Sequence, residues 1–159
     1  MSSGAIGPRA RIPNPALEPL AFLVGEWRTT GTHPALGDRT VTGQASFTWH
    51  EGGAFLFVRT HVDEPGFPDG MAVIGGDGGS GRFVMVYFDE REVSRIYDVA
   101  LGEGGVDDST VTWSRDDPTI AQTVTIRAEP DGTLVSTGRI SQDGGPWGED
   151  LSQVFHRVG

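Results

Sequence analysis

Arg95 and Tyr97 stand two residues apart in a segment of alternating apolar residues, so both side chains point the same way in an extended strand. Val93, Val99 and Leu101 share that direction, which marks it as inward. A guanidinium keeps its charge at any accessible pH and needs an anion or a polar cavity around it. The same alternation in neighbouring segments adds further polar and aromatic side chains that face inward. Together they predict a small-molecule pocket lined by Trp49, Arg95, Tyr97, Trp113, Arg115, Gln122 and Gln153.

The predicted pocket favours a ligand with an acid group. Arg115 lies on the segment after Arg95, and the inward positions of that segment and of the next one carry no carboxylate. Two guanidinium groups repel each other, so a carboxylate or enolate on the ligand would stabilise the pair. One alternative stays open, in which Arg95 pairs with Asp89 inside a barrel filled by side chains. The leading interpretation is a site for a small, mainly apolar ligand.

An enzyme is the second interpretation, because a barrel can hold a reactive polyene or ketone in one folded pose and so favour cyclisation or isomerisation. The candidate acid–base residues are then His33, Asp89, Arg95 and Tyr97. His33 faces inward if its strand keeps Trp27 inward, since the two positions are an even number of residues apart. The competing interpretation for His33 is a hydrogen bond to a loop carbonyl.

The residue types argue against several other kinds of site. The chain has no cysteine, which removes thiol nucleophiles, disulfides and zinc knuckles. Its four histidines never recur at two- or four-residue spacing, so we expect no metal site. The glycines of segment 76–81 fit a phosphate loop, but a predicted strand follows them where a phosphate loop needs a helix. The expectation is therefore a protein without a metal or a nucleotide cofactor.

The charge balance limits the class of partner. The 159 residues include 22 acidic and 12 basic side chains, the latter all arginine and scattered, for a net charge of -10. Nucleic-acid phosphates repel such a surface, so we expect no nucleic-acid partner. No apolar stretch approaches about 18 residues, the length of a membrane span, and residues 1–14 lack the apolar core of a secretory signal. We therefore expect a cytoplasmic protein that does not enter a membrane.

The elements that position these residues follow from two periodicities. Leu17, Leu20, Leu23 and Val24 form one apolar face and predict a short helix over 17–24. From Trp27 onward the period is two, with glycine, aspartate and proline clusters between the segments. The predicted strands run over 26–33, 39–50, 53–63, 70–76, 82–89, 93–101, 105–115, 119–129, 133–142 and 147–158.

Short connections between these strands make consecutive strands neighbours, and closure removes the exposed edges of a long sheet. The prediction is an all-β fold, an antiparallel up-and-down barrel of eight to ten strands with one short N-terminal helix. Residues 16–159 form the barrel domain, and residues 1–15, rich in glycine and proline, form a flexible arm.

The third predicted strand is apolar on both faces over residues 55–58. A barrel wall has only one inside, so its outward aromatic side chains need a cover. The helix, the N-terminal arm or a second subunit can supply that cover, and a homodimer is one expectation.

Gly25 and Trp27, directly after the helix, resemble the G-x-W start of calycin proteins, the lipocalin and fatty-acid-binding superfamily. Further segments agree with that resemblance, namely 20–27, 49–56, 67–70, 74–75, 87–89 and 93–97. The series is similar to a family of bacterial calycin-like domains without a settled activity, over residues 17–158. The resemblance implies a calycin-like barrel in which Trp27 closes one end against the helix, and it implies no particular ligand.

A second, more distant similarity is to the nitrobindin family of ten-stranded haem-binding barrels. Gly25, Trp27, Gly31 and Pro34 partly match its opening motif, but Thr29 and Thr30 stand where glycine is expected. The resemblance implies haem ligation by a histidine near the C-terminus, for which the candidate by position is His156. Alternation directs that side chain outward. Haem binding is thus a further alternative beside a surface role for this histidine.

Overall fold

The structure is a computed structural model that describes residues 6–7, 9–78 and 80–159. It is built almost entirely from antiparallel strands, which confirms the all-β class predicted from the period of two. The strands are β1 (Gly25–Thr32), β2 (Val41–His50), β3 (Phe55–Val62), β4 (Gly70–Asp77), β5 (Arg82–Asp89), β6 (Val93–Leu101), β7 (Thr110–Arg115), β8 (Ile120–Ala128), β9 (Leu134–Gln142), β10 (Gly148–Glu149) and β11 (Ser152–Arg157). In the described part of the chain, four 3-10 helices accompany them, at Pro15–Leu23, Pro34–Leu36, Glu51–Gly53 and Val106–Asp108.

The strands close into a barrel with ten positions around the ring. From β1 to β9 each strand pairs with the next, and β11 pairs with both β9 and β1. Strand β10 lies ahead of β11 along the same wall and pairs with β9. Every strand of the ring therefore has two neighbours along at least part of its length, so the barrel leaves no complete sheet edge open.

The N-terminal helix plugs the end of the barrel at which β1 begins. Its three leucines, Leu17, Leu20 and Leu23, are fully buried. The helix is of the 3-10 type, in which residues three apart lie directly above one another, so the spacing of three forms a single apolar line. Val24, which the sequence placed on the same face, follows the helix in an extended conformation.

The first six predicted strands, the eighth and the ninth match the observed ones to within two residues at each end, whereas the seventh and the tenth differ more. The seventh begins at Thr110 rather than at residue 105, because Asp107 and Asp108 adopt left-handed backbone conformations in a short turn. The tenth predicted strand is divided at residues 150–151, where the Asp150 amide donates to the Gly138 carbonyl at 3.0 Å outside the regular ladder. The break in the tenth strand matters for the site, because it directs the Asp150 side chain inward, against the strict alternation of that strand.

We call the end of the barrel that the helix plugs the closed end, and we call the opposite end the mouth. Trp27 is 1% exposed at the closed end, and its indole Nε1 donates to the Leu23 carbonyl at 2.8 Å. Its ring meets Phe155 edge-on at a centroid distance of 6.3 Å. The G-x-W segment thus joins the helix to the first strand, as the resemblance implied. The polar inward residues lie nearer the mouth.

The N-terminal arm is described only in part, since residues 1–5 and 8 lie outside the described residues. The Asn14 amide donates to the Gly53 carbonyl at 3.0 Å, which places the end of the arm beside the closed end of the barrel. The flexibility of the arm stays a prediction.

Candidate ligand-binding site

Three of the inward polar residues meet at one point near the mouth. Arg95 and Tyr97 lie in the first half of β6, and Gln122 lies near the start of β8. The Arg95 Nη1 and the Tyr97 hydroxyl both donate to Gln122 Oε1, each at 2.8 Å. The alternation had placed all three on the inner face, and the closed ring brings β6 and β8 close enough for direct contact.

The cluster continues across the mouth through Asp150. Gln122 Nε2 donates to Asp150 Oδ2 at 3.1 Å, and His33 Nε2 lies 3.3 Å from Asp150 Oδ1. The side chains of His33 and Asp150 are 25% and 21% exposed, so both are shielded in part from water. Sequence reasoning missed Asp150, because unbroken alternation through 147–158 would direct it outward. Only the interruption of that strand turns it into the site.

His33 lies at the mouth, but both of its ring nitrogens are engaged. Nδ1 accepts a hydrogen bond from the Ala35 amide at 3.0 Å, which leaves Nε2 to carry the proton towards Asp150. The ring also meets Phe67 edge-on at a centroid distance of 5.4 Å. The loop contact is therefore made by a backbone amide rather than by the carbonyl that the sequence suggested. In this arrangement neither nitrogen is free to accept a proton from a ligand.

Asp89 does not pair with Arg95, which corrects the alternative of an Arg95–Asp89 ion pair. Its buried carboxylate accepts from Arg91 Nη2 at 2.7 Å and from the Tyr87 hydroxyl at 2.8 Å. Hydrogen bonding to Arg91 lowers the pKa of Asp89 to about 2. Burial, aided by the Asp89 carboxylate, raises the pKa of Tyr87. The Asp89 carboxylate is thus hydrogen-bonded within its own strand and the adjoining turn.

The two inward arginines have incomplete sets of acceptors. No carboxylate of the described residues lies within 4.0 Å of the Arg95 guanidinium, whose acceptor is the neutral Gln122. Arg115 Nη2 lies 3.2 Å from Asp117 Oδ2, but the buried Arg115 Nε–H has no acceptor among the described residues. A buried N–H without an acceptor is costly, so the site favours a ligand that supplies one.

The positive charges of Arg95 and Arg115 also affect the pKa of Tyr97. Burial raises the pKa of the Tyr97 hydroxyl, while the hydrogen bond with Arg95 and the positive charges of Arg95 and Arg115 oppose that rise. The negative charge of Asp150 acts in the same direction as burial. The site therefore combines two guanidinium groups, a protonated phenol and an amide within one half of the mouth.

The barrel wall is open beside this cluster. Strand β7 pairs with β6 only along residues 98–101 and ends at Arg115, so within the described ranges no strand pairs with residues 93–97 of β6 on that side. A groove of about 580 Å³ occupies this opening. Its lining residues are Val86, Phe88, Ser94, Arg95, Ile96, Asp98, Ser114, Arg115, Asp116 and Asp117.

One small cavity lies inside the barrel wall, behind the cluster. The cavity behind the cluster has a volume of about 90 Å³, and Tyr87, Tyr97 and Trp113 contribute aromatic walls. Ligand pockets commonly measure about 300–1,000 Å³, so the cavity alone is too small for a drug-sized ligand. The groove in the wall is the part of the site with sufficient room.

The remaining predicted lining residues lie elsewhere. Trp49 is 36% exposed at the closed end, beside Pro13 and Gly53, and does not meet Arg95. Gln153 faces inward and donates to Thr29 Oγ1 at 3.3 Å, but it lines neither the groove nor the 90 Å³ cavity. Alternation predicts which face a side chain occupies, but not its height along the barrel axis.

The exposed His156 lies on the outer wall, as alternation predicted, in register with Arg28 of β1. Across the described ranges, no group of three or more histidine, aspartate or glutamate side chains has the arrangement of a metal site. None of the described helices is long and apolar enough to cross a membrane.

Comparison with known proteins adds support for the fold. The chain is similar to the crystal structure of Rv2717c from M. tuberculosis, with a TM-score of 0.66 and 17% sequence identity. The match covers 91% of this chain and 98% of that one. No family model and no curated protein matches the sequence. At this identity the likeness concerns the fold, and together with the strand topology it defines the protein as a closed, ten-stranded, calycin-like antiparallel barrel.

Proposed function

We propose that this protein binds a small, mainly apolar acid, with the carboxylate held by Arg95 and Arg115 in the wall groove. The observation that carries the proposal is the buried Arg115 Nε–H without an acceptor, beside an Arg95 whose acceptor is neutral. A carboxylate offers two oxygens and about four acceptor sites, so it can satisfy both guanidinium groups together.

The shape of the site supports an acid with its apolar part in the groove. Arg95 and Arg115 line the inner side, whereas Val86, Phe88 and Ile96 line the outer side. A ligand that bridges them places its charge against the guanidinium groups and its hydrocarbon against apolar side chains. The small cavity beside Trp113 accepts at most a short substituent, since its volume is about 90 Å³.

Binding is preferred over a reaction because the candidate acid–base groups are engaged by other protein groups. Asp89 is held by Arg91 and Tyr87, and both nitrogens of His33 have partners. Haem is not part of the proposal, since the exposed His156 lies on the outer wall, away from the groove and the interior cavity.

The test is titration of the protein with decanoate and 2-naphthoate, followed by tryptophan fluorescence. We expect binding below millimolar concentration, and a loss of at least about tenfold in Arg95→Met or Arg115→Met, equivalent to about 1.4 kcal/mol. Arg127→Met is the matched control, because Arg127 pairs with Glu129 at the closed end and should leave the affinity unchanged. The neutral amides of the two acids should bind at least about tenfold more weakly than the acids.

The source of the fluorescence signal separates this site from the closed end. Trp113→Phe should remove most of the ligand-induced change, since Trp113 lies beside Tyr97 in the interior cavity. Trp49→Phe should leave the change intact. Failure of both acids to bind below millimolar, or equal affinity in Arg95→Met, would show that the arginines do not anchor an acid.

A further inference from the structure

The outer face of β3 to β6 carries a continuous apolar surface, which we call the outer apolar face. Phe57, Val73, Val86 and Ile96 lie side by side in register across the four strands. One row nearer the mouth, Met71 lies directly beside Phe88. With the flanking rows, the face comprises Phe55, Phe57, Arg59, Met71, Val73, Gly75, Val84, Val86, Phe88, Ser94, Ile96 and Asp98.

Large apolar side chains on this face are in contact with solvent. Ile96 is 67% exposed and Phe88 is 52% exposed, and Met71 and Phe55 exceed 40%. Four strands and three rows span about 14 by 13 Å between outermost positions, which corresponds to roughly 400 Å² with the side chains included. An apolar patch of this size is comparable to the largest one on a typical monomeric protein, which is often a functional surface.

The charges point to a second copy of this chain as the occupant. The protein carries a net charge of -10, so two copies repel each other unless they meet where few charges are present. Only two of the twelve positions of the outer apolar face are charged, and they have opposite signs. Arg59 lies on β3 in the row nearest the mouth, and Asp98 lies on β6 in the row nearest the closed end, so the two occupy opposite corners.

We propose that two copies of this chain form a homodimer through the outer apolar face. A two-fold axis along the other diagonal, from Phe55 to Ser94, places Arg59 of each copy against Asp98 of the other. Because the face is nearly square, this axis crosses the strands of the two copies at about 90°, which is the orthogonal class of sheet packing. Arg59 has no ion pair in the described part of the chain, and Asp98, which pairs with Arg82, keeps further acceptor capacity.

The area of the outer apolar face implies that the dimer is weak. A standard interface buries about 800 Å² on each partner, roughly twice the area of this face. The dimer is therefore concentration-dependent, and a single charge reversal at its rim is enough to shift the equilibrium measurably.

Dimerisation bears on the groove because Val86, Phe88 and Ile96 belong to both surfaces. A second copy seated on the outer apolar face contacts the same three side chains as the hydrocarbon of the proposed ligand, so dimerisation and acid binding should influence each other. This consequence rests on the proposed function, whereas the dimer itself does not.

Charge reversal provides the test. In sedimentation velocity between about 5 and about 500 µM, a range that covers the dissociation constants of weak complexes, we expect wild type to shift from monomer towards dimer. Arg59→Glu and Asp98→Arg should each raise the dimer dissociation constant at least about tenfold, because like charges then meet at both corners. An equimolar mixture of the two variants should regain dimer. In that mixed dimer the introduced glutamate of one variant faces the introduced arginine of the other, while the native pair remains at the second corner.

The controls carry equal charge changes outside the face. Arg28→Glu on β1 and Asp38→Arg in the loop before β2 should dimerise as wild type does. A wild type of 17.0 kDa at all concentrations, or a mixture that stays monomeric while wild type dimerises, overturns the proposal. Acid affinity measured by fluorescence on the same samples distinguishes failure of the dimer from failure of the binding site.

Discussion

Replacing Trp27 with alanine is expected to lower the free energy of unfolding by about 3–5 kcal/mol, the usual cost of truncating a buried large aromatic residue. Trp27 is 1% exposed and packs edge-on against Phe155. The substitution also leaves the Leu23 carbonyl without its indole donor and removes the Arg157 guanidinium contact at 4.2 Å from the ring centroid. The helix plug and the first strand thus lose the side chain that joins them.

Urea unfolding followed by far-ultraviolet circular dichroism measures this effect without depending on tryptophan fluorescence. Trp147→Ala is the matched control, because Trp147 is 45% exposed in the turn before β10 and should change stability by less than about 0.5 kcal/mol. Trp27→Phe should fall between the two, since it keeps an aromatic ring but loses the hydrogen bond to Leu23. A loss below about 1 kcal/mol in Trp27→Ala would contradict a closing role for this residue.

Asp89→Asn is expected to cost about 2 kcal/mol at neutral pH, a value that follows from a native pKa of about 2 against an unfolded value of 3.8. The native carboxylate is stabilised by Arg91 and by the Tyr87 hydroxyl in a buried position. Its pKa is lowered by folding, so its contribution is fully present above the unfolded value and is lost as the pH falls through the folded value. The difference between wild type and variant should therefore shrink between about pH 4 and pH 2.

Urea denaturation at several pH values between about 2 and about 7 follows this difference directly. Asp116→Asn provides the control, because Asp116 is exposed in the turn after β7 and carries the same charge change. A stability difference for Asp89→Asn that stays constant across this pH range would show that the Asp89 carboxylate is not the titrating group.

Strand positions and inward faces were predictable from the sequence because alternation is a property of each local backbone segment. The strand bounds 82–89 and 93–101 agree with β5 and β6 at both ends. The inward placement of Arg95, Tyr97 and Gln122 follows from the same rule and is observed. The buried face of the N-terminal helix was likewise predictable from the three-residue spacing of its leucines.

The partners of those residues were decided by the closed ring. Arg95 reaches Gln122 across 27 residues of sequence because β7 ends early and leaves β6 facing β8. Asp89 instead pairs with Arg91, two residues away, in a turn geometry that alternation does not describe. Which inward groups touch depends on register and strand length, and these are set by packing of the whole barrel.

Asp150 and Trp49 show most directly which features local alternation does not predict. Asp150 enters the site only because the final wall position is interrupted at residues 150–151, where its amide bonds Gly138 outside the ladder. Trp49 follows the inward alternation of β2 but lies at the closed end, away from the arginines.

The sequence by itself determined the all-β class, the strands and the face of most side chains, because these depend on local periodicity. The tertiary structure decided the height of each side chain along the barrel, its partner and the open groove, because these depend on contacts between segments far apart in the chain.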